Sequence, residues 1–269
     1  MIYVLTGSSG FVAYHFQEAI RKQGDNVITI PHHLLKDIGS IKYTLRNGFD
    51  YLVHLASYGN YYNQTDKALI KECNVTYTSN LLKAIKNIPH KGFVFISSSS
   101  VYGKSNKLMN ENDTCKPQTD YAKAKLECEK LCEGAILRPF TIYGFMDNPK
   151  HLIPTVIHAV RAGLEFKLDP SPVHDYIYVK DLVRAILLFK DQKGVINIGT
   201  GLQYSNKDIV DAIESLLNKQ AICFTKEHMR TYDSNVWCAD ITKAKLLGFE
   251  PYYNIMEGLD ETIYEESKN

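Results

Sequence analysis

The segment Thr6-Gly7-Ser8-Ser9-Gly10-Phe11-Val12-Ala13 constrains the fold of this chain more than any other. It follows a short apolar run at residues 2–5 and opens a stretch of helical periodicity over residues 11–23. A glycine-rich turn between a strand and a helix reverses the backbone tightly, and the helix N-terminus then presents unpaired N–H groups to an anion. Gly7 and Gly10 permit close backbone approach, and Ala13 is small enough for the helix to pack on the strand. Gly7, Ser9, Gly10, Phe11 and Val12 are therefore candidate contacts for the pyrophosphate of a dinucleotide. A turn with only structural meaning is the competing reading.

The rest of the chain repeats this alternation. Strand-like runs at residues 2–5, 26–30, 51–55, 93–97 and 135–137 are separated by helical patterns at residues 11–23, 67–87 and 121–132. Such alternation calls for right-handed crossovers and a parallel sheet covered on both faces. The expected fold is α/β, a Rossmann-like doubly wound parallel sheet. After Gly144 the texture changes to helices broken by proline-containing loops, with a strand-like run at residues 195–198 and helices at 207–218 and 242–247. This predicts a dinucleotide-binding domain from residues 1–145 and 173–199. A smaller C-terminal substrate-binding lobe takes residues 146–172 and 200–269. Residues 104–120 read as a surface loop.

Composition excludes several functions. The 269 residues are 45% hydrophobic, and 31 basic side chains face 30 acidic ones. No basic run is long enough to track a phosphate backbone, so no nucleic-acid partner is expected. Six cysteines are scattered, and the one close pair, Cys128 and Cys132, lacks a second Cys/His pair, so no metal site is expected. Free thiols fit a reducing, cytoplasmic setting. No apolar stretch is long enough to span a bilayer, and no membrane association is expected.

Two clusters carry the chemistry. Tyr121 and Lys125 stand four residues apart on a helix, so both side chains leave the same face. An ammonium beside a phenol favours the phenolate, which prepares the tyrosine for proton transfer. The fourth strand ends in Ser97, Ser98, Ser99 and Ser100, which places hydroxyls at the carboxyl edge of a parallel sheet, where such folds bind ligands. A solvated strand end is the alternative for the serines, and an exposed helix face is the alternative for the pair. The second strand ends Ile30-Pro31-His32-His33 with no acid to take a ribose 2′-hydroxyl. That leans the cofactor towards NADP(H) over NAD(H), with His32 as a candidate contact of a 2′-phosphate.

With these motifs in order, the chain resembles the extended short-chain dehydrogenase/reductase family, in particular its nucleotide-sugar epimerases, dehydratases and reductases. The resemblance runs nearly end to end. It includes the TGxxGF turn at residues 6–11, Asp37-Ile38, His54-Leu55-Ala56, Asn74, the SS..VYG segment at residues 97–103 and the YxxxK segment at 121–125. LRPxxxYG at 137–144, DYIYVxDL at 175–182, NIGTG at 197–201 and a closing segment at 239–251 complete it. The resemblance implies that Tyr121 is the general acid/base, that Lys125 lowers its pKa and holds the nicotinamide ribose, and that Ser98 polarises the reacting oxygen. It also implies cofactor contacts at Asp37, Ile38, Leu55, Ala56 and Pro139. Substrate contacts follow at Ser99, Thr141 and Arg230, with a nucleotide sugar as substrate, and the resemblance further implies a homodimer. His174 and Thr141 stand where the family has an arginine and an asparagine.

Dehydratases of the family carry an acidic pair directly after the catalytic hydroxyl, and here those positions are Ser99 and Ser100. Dehydration and the related decarboxylation are therefore disfavoured. The sequence alone leans to an NADP(H)-dependent reductase of a 4-keto-6-deoxy nucleotide sugar. The alternative is a nucleotide-sugar 4-epimerase with tightly held NAD, and a non-catalytic dinucleotide sensor is the third reading. The loop at residues 58–63, rich in tyrosine and asparagine, is a candidate for contact with the sugar.

Overall fold

The computed structural model describes residues 1–61, 63–225 and 234–268. Its strands are β1 (Ile2–Thr6), β2 (Asn26–Ile30), β3 (Tyr51–His54), β4 (Gly92–Ile96), β5 (Ala135–Pro139), β6 (Thr141–Tyr143), β7 (Glu165–Leu168), β8 (Val173–His174), β9 (Tyr176–Tyr178), β10 (Gly194–Ile198), β11 (Tyr204–Ser205) and β12 (Ile222–Thr225). Its α-helices are α1 (Phe11–Lys22), α2 (Ile38–Thr44), α3 (Lys67–Lys71), α4 (Tyr77–Ile85), α5 (Asp120–Glu129), α6 (Leu152–Ala162), α7 (Val179–Phe189), α8 (Asn206–Leu217), α9 (Thr242–Leu246) and α10 (Ile255–Ser267). The chain divides into two units. One comprises Met1–Gly103, Thr114–Pro139 and Val183–Ile196; the other comprises Lys104–Asp113, Phe140–Leu182 and the chain from Asn197 onward.

The expected parallel sheet is present, with six strands in the order β10-β5-β4-β3-β1-β2. β1 pairs in parallel with both β2 and β3, and β4 pairs in parallel with β3 and β5. The inner strands are buried along nearly their whole length, as continuous apolar runs require when helices cover both faces. The chain runs outward from β1 to β2 and then returns to the other side of β1 for β3. That reversal is the topological switch point, where open α/β sheets bind ligands beyond the strands' carboxyl ends.

Register brings those ends to one edge. Ile30 pairs with Thr6, Thr6 with His54, His54 with Phe95 and Ile96 with Leu137. The residues that follow are His32, Gly7, Leu55, Ser98 and Pro139, so five separate candidates share one rim of the sheet. Beneath them a core of Val4, Leu52, Phe93, Phe95, Leu81, Tyr77 and Cys128 fixes the strands against α4 and α5. Burial of each such apolar side chain contributes about 1.5–3 kcal/mol.

Two segments differ from expectation. The helix expected over residues 67–87 is broken into α3, a π-helical turn at Glu72–Thr76 and α4. Such turns insert one residue into a helix and recur beside functional sites. Of residues 104–120, expected as a surface loop, the first part, Lys104–Asp113, is anchored within the second unit. Met109 is buried, its amide donates to the Cys238 carbonyl, and isolated bridges join Ser105 to Val236 and Met109 to Ala239. The polar composition hid this because the anchor combines one buried methionine with polar contacts, Asn110 to Asp240 and Glu111 to the Asn197 amide, that only the fold brings together.

In the second unit, β6 pairs in parallel with β9, β7 with β12 in parallel, and β8 with β11 antiparallel. Asp175 is fully buried and accepts from the amides of Thr200, Gly201 and Ala239, so the DYIYV and NIGTG segments are joined through one carboxylate. Among the described residues no helix is long and apolar enough to cross a membrane, and no cluster of three metal-ligating side chains occurs.

Candidate active site

The turn after β1 is shaped by close approach. Gly7 has φ +68°, and a Cβ there would lie 2.7 Å from the Ala56 nitrogen, so the turn rests directly on the Leu55-Ala56 backbone. Gln17 reaches back from α1 and donates to the Ser8 carbonyl at 3.0 Å, which steadies the loop from the helix side. Gly10 is the N-cap of α1 and supplies no side-chain cap, and the first turn carries no acid. Uncapped N–H groups at a helix N-terminus suit a pyrophosphate. The fold and the turn therefore fit a dinucleotide. Gly7→Ala is expected to destabilise the protein by about 1–3 kcal/mol through backbone strain and contact with Ala56. It should also weaken dinucleotide binding at least tenfold, roughly the effect of 1.4 kcal/mol, as read by urea unfolding and calorimetric titration.

A buried polar chain lies below that turn. The Thr78 hydroxyl donates to the Asn74 carbonyl at 2.6 Å, so its oxygen accepts from Nε2–H of His54 at 2.8 Å. Nδ1 of His54 then accepts from the Thr6 hydroxyl at 2.6 Å, and the Thr6 oxygen accepts the Ala56 amide at 3.1 Å. Each member is satisfied only with His54 neutral and protonated on Nε2. Burial, followed by the charge of Lys125, pulls the His54 pKa down to about 3. His54 is thus a structural histidine that ties β1, β3 and the helix bearing Asn74. His54→Leu would leave the Thr6 hydroxyl without an acceptor and is expected to cost about 1–3 kcal/mol in denaturant unfolding.

Asn74 extends this support to the loop after β3. It is buried, its Nδ2 donates to the Tyr58 carbonyl at 2.7 Å, and its Oδ1 accepts the Tyr58 amide at 3.2 Å. Farther along, Gln64 Oε1 accepts from the amides of Gly59 and Tyr61. The candidate sugar loop is therefore a pinned turn, with Tyr62 outside the described residues.

The hydroxyls and the Tyr/Lys pair meet at the end of β4. α5 starts where Thr119 accepts the Ala122 amide at 3.1 Å, which places Tyr121 in the first turn. Lys125 is 2% exposed and donates to the Ile96 carbonyl at 2.8 Å, with its nitrogen 5.8 Å from the Tyr121 ring centre. Burial raises the Tyr121 pKa above its ordinary value, while hydrogen bonds with Ser98 and Ser57 pull it back. Burial also lowers Lys125 to about 8, against the upward pull of Cys128, Cys132 and Glu129. Desolvation of both groups thus outweighs the simple attraction of ammonium for phenolate. Ser98 caps the short 3-10 turn Ser99–Val101, and its oxygen accepts from the Ser100 amide and hydroxyl at 3.2 and 2.9 Å. Because its oxygen accepts both of these bonds, Ser98 still has its own hydroxyl proton to donate. The arrangement can pass a proton between Tyr121 and an oxygen held by Ser98.

The remaining candidates are placed as follows. Ser99 is 5% exposed, beneath the half-buried Ser98 and Ser100. Asp37 is exposed and caps α2, accepting the Ser40 amide at 2.6 Å, with half-buried Ile38 next to it. His32 is exposed at the start of the turn after β2, with its Nε2 3.6 Å from Cys73 Sγ and its ring edge-on to Tyr77. Pro139 closes β5 and is buried. Thr141 lies in the second unit, half-buried in β6, with its amide on the Asp175 carbonyl. Arg230 lies outside the described residues. Sequence reasoning missed Ser57, which is readable only as the residue directly after His54-Leu55-Ala56. It also missed Glu129 and Arg138, whose one signal is that Glu129 stands eight residues after Tyr121 on the same helical face.

Comparison with known proteins places these features in context. Residues 3–199 match the model of the NAD dependent epimerase/dehydratase family. The chain is 28% identical to an uncharacterized UDP-glucose epimerase, YtcB, of Bacillus subtilis, over 97% of this chain and 96% of that protein. It is 26% identical to the dTDP-4-dehydro-6-deoxyglucose reductase of Escherichia coli, over 81% of this chain and 75% of that one. Among solved structures it is similar to MoeE5 in complex with UDP-glucose and NAD, with a TM-score of 0.90 and 28% identity, covering 100% of this chain and 99% of that one.

Proposed function

This chain belongs to the NAD-dependent epimerase/dehydratase family, and from that premise we propose that it is a nucleotide-sugar 4-epimerase working through an NAD-type cofactor. The observation that carries the reading is the Ser98, Tyr121 and Lys125 cluster with serines at the two positions after Ser98. Elimination of water or carbon dioxide needs a further acid or base beside the reacting carbon, and Ser99 and Ser100 supply neither at neutral pH. Transfer of one hydride and one proton needs only a hydroxyl, a phenol and a cofactor.

In this reading Tyr121 takes the proton from the 4-hydroxyl of the sugar, whose oxygen is oriented by Ser98. When bound, a dinucleotide would supply the redox chemistry, namely hydride exchange at C4 with return to the opposite face. Tyr121 then gives its proton back to the same oxygen, so the net change is inversion at C4. Lys125, fixed by the Ile96 carbonyl, contributes a positive charge beside the phenol. Gly7, Ser9, Gly10, Phe11 and Val12 would hold the pyrophosphate. Leu55, Ala56 and Pro139 would line the same rim, with Asp37, Ile38 and His32 towards the adenosine end. Ser99, Thr141 and Arg230 are the proposed substrate contacts. A homodimer in the cytoplasm remains part of this proposal.

The epimerase stands ahead of the reductase because the Bacillus relative is matched over nearly its whole length and the similar MoeE5 complex holds UDP-glucose with NAD. A specific observation keeps the reductase as the second reading: β2 is followed by His32 and His33 with no acid for a ribose 2′-hydroxyl. The test is to incubate the purified protein with UDP-glucose, without added cofactor, and to separate the products by anion-exchange chromatography. Appearance of the C4 epimer supports the proposal. No epimer from UDP-glucose or UDP-glucuronic acid, with NADPH consumed on adding dTDP-4-dehydro-6-deoxyglucose, replaces it by the reductase.

A further inference from the structure

Glu129 and Arg138 form a buried ion pair that the hydride-transfer reading leaves unused. Arg138 donates to Glu129 twice, from Nε to Oε1 at 2.9 Å and from Nη2 to Oε2 at 2.7 Å, with each side chain 5% exposed. Glu129 also accepts the hydroxyl of Ser97, and the Arg138 guanidinium carbon sits 4.7 Å above the Tyr102 ring. Ser97 and Tyr102 bracket the turn that carries Ser98. On α5, residues 121, 125 and 129 are spaced by four and share one face, which meets three consecutive residues at the end of β4. Lys125 bonds to Ile96 and Glu129 to Ser97, and the Ser98 hydroxyl acts on the Tyr121 phenol, pulling its pKa down.

We propose that the Glu129–Arg138 pair is a positioning device, which fixes the Ser98 hydroxyl relative to the Tyr121 phenol by gripping both ends of the serine turn and the helix that carries the phenol. The proposal rests on the hydride-transfer reading of the site. A stabilising role alone explains the pair poorly, because a buried ion pair can commonly be replaced by apolar residues of similar volume without loss of stability. Geometry is where the pair acts: the Glu129 carboxylate, on α5, joins the end of β4 through Ser97 and β5 through Arg138. A displacement of about 1 Å between reacting groups can lower a rate roughly a hundredfold.

The double variant Glu129→Leu/Arg138→Met removes both charges together and avoids leaving either one buried alone. It is expected to melt at or above the wild-type temperature and to bind NAD with Kd within about twofold, while kcat falls roughly tenfold to a hundredfold and KM changes little. Ser97→Ala keeps the ion pair and cuts only its link to the turn, and is expected to lower kcat by roughly tenfold or less with melting unchanged. A second readout needs no sugar: the 13Cζ NMR resonance of Tyr121 in the NAD-loaded protein, identified by its loss in Tyr121→Phe, is expected to shift in both variants. Wild-type kcat in a folded double variant, or an unmoved Tyr121 resonance, overturns the proposal. If the double variant does not fold, Ser97→Ala decides: unchanged kcat and resonance overturn it. If the wild type turns over no nucleotide sugar, the functional reading fails, while the resonance still reports on the positioning.

Discussion

Tyr121→Phe is expected to lower turnover of a nucleotide sugar by roughly 10²–10⁴-fold while leaving dinucleotide affinity nearly unchanged. The substitution removes one oxygen. The aromatic body of the side chain stays in place, and α5 keeps its Thr119 cap and the Lys125 bond to the Ile96 carbonyl. What disappears is the hydroxyl proposed to exchange a proton with the substrate. The shape of the wild-type pH profile follows from the same environment. Burial raises the Tyr121 pKa, so the phenol holds its proton through the neutral range. A reaction that begins by taking a proton from a sugar hydroxyl should therefore speed up as pH rises. One that ends by protonating a keto oxygen should stay flat over the same range and decline only in strong alkali. Stopped-flow rates on either side of neutrality separate the two, and a falling profile between pH 6 and 8 would contradict both.

Lys125→Met is expected to have the second large effect, on stability as well as rate. Burial pulls the lysine to about 8 from its ordinary 10.5. Between these values the unfolded chain holds a proton that the folded chain has released, so raising the pH favours folding. The penalty for burying the ammonium is fully present below about pH 8 and is gone above about 10.5. The stability of the wild type relative to Lys125→Met should therefore rise by ~3 kcal/mol across that window, since one pKa unit corresponds to about 1.4 kcal/mol. The Ile96 carbonyl, deprived of its donor, adds a constant offset to the variant at every pH. Urea unfolding of both proteins at intervals from pH 7 to 10.5 measures the difference, and parallel curves would show that the lysine is not desolvated. At neutral pH the wild type thus sustains a charge that weakens its own fold at the place where the chemistry needs it.

The α/β alternation and the turn at residues 6–13 were legible because they depend on local pattern: runs of apolar residues, helical periodicity and glycine where the backbone must turn. Tyr121 and Lys125 were legible because helical spacing alone places them on one face. Glu129 was not legible, because a glutamate inside a charged helical stretch looks solvated, and its burial depends on Arg138 arriving from a strand that pairing alone brings alongside. Likewise His54 reads as one more residue of an apolar strand. Its neutral state becomes apparent only when Thr6 and Thr78, 48 and 24 residues away in sequence, close on its two nitrogens. The polar stretch around Met109 departed from expectation because its buried methionine and the polar contacts of Asn110 and Glu111 all meet residues far away in sequence. Local rules locate the groups proposed to react, whereas the groups that hold them come from long-range pairing.

The π-helical turn at Glu72–Thr76 gives the chain an unusual dependence on length. Each residue of a regular helix advances about 100° around its axis, so one residue removed from this turn would swing everything on one side of it by nearly a third of a revolution relative to the other. Asn74 faces Tyr58 from the middle of that turn, and Thr78 faces His54 from the start of α4. A single-residue deletion there would leave a more regular helix and would break its grip on either the loop or the histidine. In this helix, sequence length acts as an angular setting: the surplus residue works as a vernier that aligns one side chain with the end of β3 and another with the loop that follows it.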